Sequence, residues 1–146
     1  MNAVQTFYRD LTLKPQGIIV VIAAFLPIIA ITAMGPAVPA LIKYFAENPE
    51  ARRLVPAMIG APGLAMAIFA PFAGLLVDKF GRRRLLLISA LFYGVAGAAP
   101  FWLDNLDHIY YSRLALGVAE AGILTTVNTL IGDYWDDKGR KNWLFL

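Results

Sequence analysis

A chain of 146 residues that is 59% hydrophobic and only 16% charged, with a mean hydropathy of +0.62, is not composed like a soluble domain, where about 25% of residues carry charge. It contains no cysteine, which excludes disulfides and thiolate metal sites. The net charge of +3 raises nucleic acid as a partner, but the bases gather where apolar runs end. Membrane topology accounts for that placement, and no nucleic-acid partner is expected.

Residues 1–16 form a polar lead containing Arg9, Asp10 and Lys14. It is too polar for a cleavable signal, and no small-residue cleavage site follows a short apolar core. The first apolar span covers about 17–44. A bilayer core needs about 20 helical residues, so this run crosses with tilt or a bend. Pro27, Pro36 and Pro39 predict the bend, because each removes a backbone hydrogen bond and crowds the preceding turn. The mixed-charge stretch 46–54 then leads to a second span at about 55–77. There Gly63, Ala67, Ala70 and Gly74 recur at spacings of four, three and four, predicting a stripe of small residues that packs closely against another helix.

A third span is expected at 85–103 and a fourth at 109–131, separated by the short acidic turn 104–108 (DNLDH). Asp104, Asp107 and His108 are the nearest approach to a metal or acid–base site, but one histidine beside two loop acids reads as a solvated turn. No metal site, no cofactor and no enzymatic activity are expected. Beyond the fourth span a charged run reaches Lys141, and 142–146 (NWLFL) resumes an apolar pattern that predicts the opening of a fifth helix. With the N-terminus inside, the inner segments hold nine bases (Arg9, Lys14, Lys79, Arg82, Arg83, Arg84, Lys138, Arg140 and Lys141) against three outside (Lys43, Arg52 and Arg53). That asymmetry predicts cytoplasmic termini.

The organising stretch is the charged turn 74–84, GLLVDKFGRRR. Gly74 is expected to close the second helix on a face that another backbone approaches. Asp78 can pair with Arg82 or accept N–H bonds from a nearby helix start. Gly81 supplies the reversal, since so short a turn needs a residue at positive φ. Arg82, Arg83 and Arg84 open the third helix on the side that favours bases. A pure topology signal would explain the bases but neither the two glycines nor the acid.

The fourth span carries Arg113 and Glu120, ionisable residues well inside an apolar run. Charges at that depth are costly and usually face a cavity or a partner. Seven residues apart, they lie on one helix face with Gly117 between them, roughly 10 Å apart along the axis. Glu120 sits near mid-span, where burial disfavours its charged form and suits it to reversible protonation; a single interhelical hydrogen bond is the structural alternative.

The turn, with its pattern Gly74, three apolar residues, Asp78, Lys79, any residue, Gly81, Arg82, Arg83, Arg84, resembles the signature loop between the second and third helices of the major facilitator superfamily of secondary transporters, at every specified position. Arg113 with Gly117 four residues on resembles the family's fourth-helix motif. The Gly117-Val-Ala-Glu120-Ala121 form, followed by Ile131-Gly132-Asp133-Tyr134-Trp135, looks most like spinster-like and related organic-solute porters. The resemblance implies an all-α integral membrane protein in a bacterial inner (plasma) membrane, with a small-molecule substrate and alternating access. It also implies a cytoplasmic charge cluster of Asp78, Arg82 and Asp133, with Arg140 downstream, that helps lock the outward-facing state.

The family has two six-helix halves, so residues 1–146 correspond to part of the N-terminal half, with a C-terminal half as a further partner alongside the lipid bilayer. Such a portion is expected to be inactive alone. The contrasting reading is a small four-helix membrane protein working as an oligomeric exporter or interaction subunit. One departure stands out: no acid lies between Gly17 and Ala46, where many proton-coupled drug antiporters of the family carry one. That argues against drug/proton antiport and leaves Glu120 as the visible proton-coupling candidate.

Overall fold

The computed structural model describes residues 15–134, with side-chain environments from 17 to 132. The polar lead, Arg140 and the expected fifth helix lie outside the described residues. Within them the chain is helical: α1 Pro15–Tyr44, α2 Ala51–Phe80, α3 Arg82–Ala98 with a 3₁₀ turn Ala99–Phe101, and α4 Leu106–Tyr134. All four are long and apolar enough to cross a membrane. Pro15 opens α1, where a missing N–H costs nothing. The helix then runs unbroken through Pro27, Pro36 and Pro39, as α2 does through Pro56, Pro62 and Pro71.

The α2–α3 connection is one residue long. Helix α2 continues six residues past Gly74 to Phe80, so Gly74 does not close it. The reversal falls on Gly81, at φ 81° and ψ 148°, with its N–H donating to the Val77 carbonyl at 3.0 Å. It is the positive-φ residue of the described backbone. That region is essentially closed to side chains other than hydrogen, which is why one glycine replaces a longer loop. At the other connection, Asn105 caps α4: its Oδ1 accepts the Asp107 N–H at 2.8 Å. The 104–108 turn is therefore a helix start.

Helix α4 occupies the centre, half buried along its apolar core while the other three are mostly open to their surroundings. At one end its Leu106 and Ile109 pack with Ala51, Val55 and Met58 of α2. At the other its Ile123, Val127 and Leu130 pack with Val20 and Ala23 of α1. Start-to-start packing makes α2 and α4 parallel, and successive helices alternate in direction. Helices α1 and α3 hardly touch each other.

In a bilayer, apolar side chains gain little by leaving lipid for one another, so close backbone approach matters more than apolar area. Two glycines of α4 supply it. A Cβ on Gly117 would strike the backbone carbonyl oxygen of Pro62 in α2, with the Pro62 Cα only 2.7 Å away. A Cβ on Gly122 would strike the Ser89 hydroxyl of α3 and lie 3.1 Å from its Cβ. The stripe predicted on α2 is not the packed one. Gly63 and Ala67 are exposed, and a Cβ at Gly63 or Gly74 would meet nothing within 4 Å. The face that packs carries Val55, Met58, Pro62 and Ala65 instead. Both faces are built from small and apolar residues, and the position of Pro62, one residue and about 100° round from Gly63, decides between them.

Substituting Gly117→Ala should therefore cost about 1–3 kcal/mol, the usual range for overpacking, whereas Gly63→Ala should stay within about 0.5 kcal/mol of the parent. Equal losses for the two variants in detergent-micelle unfolding would contradict the crossing described. Gly81→Ala should cost about 1–3 kcal/mol through backbone strain alone, read from the same unfolding curves.

Candidate functional site

The polar side chains of α4 divide into two groups. Three of its hydroxyls turn back on their own helix: Ser112 donates to the Ile109 carbonyl at 2.7 Å, Thr126 to Gly122 at 2.7 Å and Thr129 to Thr125 at 2.6 Å. These bonds satisfy the groups locally and leave them with little to offer elsewhere. Arg113 and Glu120 are different. Arg113 reaches α3 only through a long contact, Nη2 to the Gly97 carbonyl at 3.4 Å. Its Nε is buried and finds no hydrogen-bond partner among the described residues. Glu120 is 2% exposed, and its buried Oε1 is likewise unpartnered there. A buried donor or acceptor left unmet costs about 1–3 kcal/mol, more when charged, so both groups are held at some expense.

Tyr93 of α3 stands between them. Its hydroxyl donates to the Leu26 carbonyl of α1 at 2.8 Å, and it lines the same cavity as Arg113. Nothing in the residue pattern had marked Tyr93; the available signal was an amphipathic ring inside an aliphatic span, whose hydroxyl needs a partner once buried. Because α1 and α3 otherwise stand apart, this bond is a crossbar over the front of α4. On the side of the α1–α2 loop lies a cavity of about 490 Å³ whose lining includes Ile29, Met34, Phe101, Ile109, Leu116 and the Arg113 side chain, with Tyr93. On the opposite side Leu26 borders a smaller apolar cleft of about 260 Å³, reaching Ile22, Leu87 and Ile123.

The structure thus places Arg113 in the wider cavity and Glu120 two turns further along α4. The charged turn is remote from both. Asp78, Lys79, Arg82, Arg83 and Arg84 are all exposed, with the Lys79 ammonium 5.7 Å from the Phe80 ring centre. Asp78 lies in the last turn of α2 and Arg82 opens α3, on either side of Gly81. Asp133 belongs to the last turn of α4, but its side chain and Arg140 lie outside the described residues. Of the residues expected to bend or pack helices, Gly117 makes the close crossing, while Pro27 is buried and Pro36 and Pro39 are exposed.

Comparison with known proteins sets this geometry in context. The chain is 28% identical over 137 residues to an efflux pump, dotC, of Dothistroma septosporum, covering 90% of this chain and 23% of that protein. It is 29% identical over 128 residues to the class E tetracycline resistance protein of Escherichia coli, covering 81% and 30%. It is 29% identical over 134 residues to the 4-hydroxybenzoate transporter PcaK of Acinetobacter baylyi, covering 89% and 29%. The chain therefore spans less than a third of the length of these relatives. No solved structure matches it. Residues 20–143 match the sequence profile of the Major Facilitator Superfamily, and with four membrane-capable helices the chain is an integral membrane protein that belongs to that family of transporters rather than to any class of enzyme.

Proposed function

We propose that these four helices form part of a secondary active transporter that moves a small organic solute by alternating access, with the cavity beside Arg113 on the solute path and Glu120 as the group that couples transport to protons. The observation that carries this reading is the state of Glu120: buried at mid-helix, with Oε1 unpartnered and no ion pair to it among the described residues. A carboxyl kept at membrane depth with one oxygen unmet is a functional candidate before it is a structural one. The absence of an acid in α1 leaves that task to α4. The Gly117-x-x-Glu120-Ala121 segment supports an organic-solute porter within the family.

The relatives' names support the breadth of the solute class: one transports 4-hydroxybenzoate, one confers tetracycline resistance and one is an efflux pump. Their greater length supports a second, facing set of helices as the partner that completes the gate, since alternating access rocks two bundles around one site. The count of bases supports cytoplasmic termini, with Asp78, Arg82 and Asp133 clustered on the cytoplasmic side as a conformational lock. The bacterial relatives support a plasma-membrane location.

The 146-residue chain reconstituted alone in liposomes should give no solute flux above protein-free vesicles; sustained flux from the monomer would refute the two-bundle reading. Joined to its facing half, Glu120→Gln should reduce proton-gradient-driven accumulation by about tenfold or more while leaving solute exchange across the membrane within about twofold. Unaltered gradient-driven accumulation in that variant would remove Glu120 from the coupling role.

A further inference from the structure

We infer that the cavity between α1, α3 and α4 takes an amphipathic organic anion: an apolar, ring-sized body with one acidic head that docks on the Arg113 guanidinium. The inference rests on the transporter reading only in placing this cavity on the solute path; the preference for an anion comes from the cavity itself.

Three observations carry it. The volume, about 490 Å³, falls in the range of small-molecule sites, which are mostly apolar with few polar anchors. The lining fits that description, since Ile29, Met34, Leu41, Phe101, Ile109 and Leu116 present hydrocarbon and Arg113 is the one charged residue among them. Arg113 is also short of partners. A guanidinium offers five N–H donors in a planar fork. Here one makes a 3.4 Å contact with Gly97, and the buried Nε meets no acceptor among the described residues.

The competing partners do not fill the gap. Glu120 lies two turns along α4, roughly 10 Å by helix rise, and makes no ion pair with Arg113. The Tyr93 hydroxyl donates to Leu26, and although its oxygen could still accept, no hydrogen bond joins it to Arg113 among the described residues. A carboxylate matches the guanidinium fork in shape and charge. A neutral solute of the same size would leave the fork unmet, and a cation would be repelled.

The test uses the whole chain in lipid nanodiscs and three probes sharing one apolar body: 2-naphthoate, 2-naphthamide and 2-naphthylmethylammonium. Binding is measured by calorimetry, with empty nanodiscs subtracted. Naphthoate should bind about tenfold more tightly than the amide, and the ammonium should show no binding; that preference corresponds to one charge-assisted pairing, about 1.4 kcal/mol. Arg113→Gln should bring naphthoate down to the amide's affinity, and Arg113→Lys should retain part of the preference because it keeps the charge without the fork. Ala33→Phe, which fills the cavity from α1, should weaken both probes together and locate the site. Equal binding of acid and amide, a preference that survives Arg113→Gln in a protein with unchanged helical circular dichroism, or no binding of any probe would each overturn the inference. An amide-preferring cavity would do so while leaving solute flux, the measure of the transporter reading, unaffected.

Discussion

The close crossing of α4 over α2 at Gly117 and Pro62 is the constraint on which the other features rest. Water drives apolar helices together in soluble proteins, but lipid does not, so a membrane bundle is held by how nearly its backbones can meet. Hydrogen at Gly117 lets the Pro62 carbonyl sit where a methyl group would otherwise be. Gly122, five residues on and about 140° round the helix, admits Ser89 of α3 in the same manner. Two glycines on different sides of α4 thereby draw in two helices and make it the buried axis of the four.

Burial of that axis creates the electrostatic situation at the site. A helix at the centre has its polar groups shielded on most sides, and α4 meets this in part by folding the Ser112, Thr126 and Thr129 hydroxyls onto its own carbonyls. A carboxyl and a guanidinium on longer stems do not fold back in that fashion. Among the described residues, Glu120 and Arg113 are the buried groups with an atom left unpartnered. Because α1 and α3 approach one another through the Tyr93–Leu26 bond alone among the hydrogen bonds described, the space in front of α4 stays open on either side of that bond, and the guanidinium lines the larger opening.

Much of this architecture is legible in the residue pattern, and what is not has definite physical reasons. Long apolar runs specify helices because a bilayer admits few alternatives, and Gly81 declares itself because few residues tolerate its backbone angles. Arg113 and Glu120 are conspicuous because charge is rare at that depth. The packing face of α2 is less legible, since a stripe of Gly63, Ala67, Ala70 and Gly74 shows that close approach is possible without showing that one of these helices is the neighbour. The proline at 62 accepts α4 because its partner is glycine, a pairwise property that a single helix cannot display. Tyr93 was missed for the same reason. Its importance lies in a carbonyl 67 residues away, and an isolated tyrosine in an apolar span looks like interface packing.

The spacing of the two charges sets how they can relate. Seven residues on a rigid helix hold Arg113 and Glu120 two turns apart, and no sliding of α4 as a body alters that separation. No ion pair joins them among the described residues, and between their levels on the neighbouring helix α3 stands Tyr93, set between the Gly97 and Ser89 contacts with α4. Tyr93 belongs to α3 and its hydroxyl is bonded to α1, so the one side chain ties together the two helices that flank α4. The three groups lie on two helices, α3 and α4, with Tyr93 hydrogen-bonded to the third, α1. Their geometry is fixed by the glycine crossings behind them and by a single hydrogen bond in front.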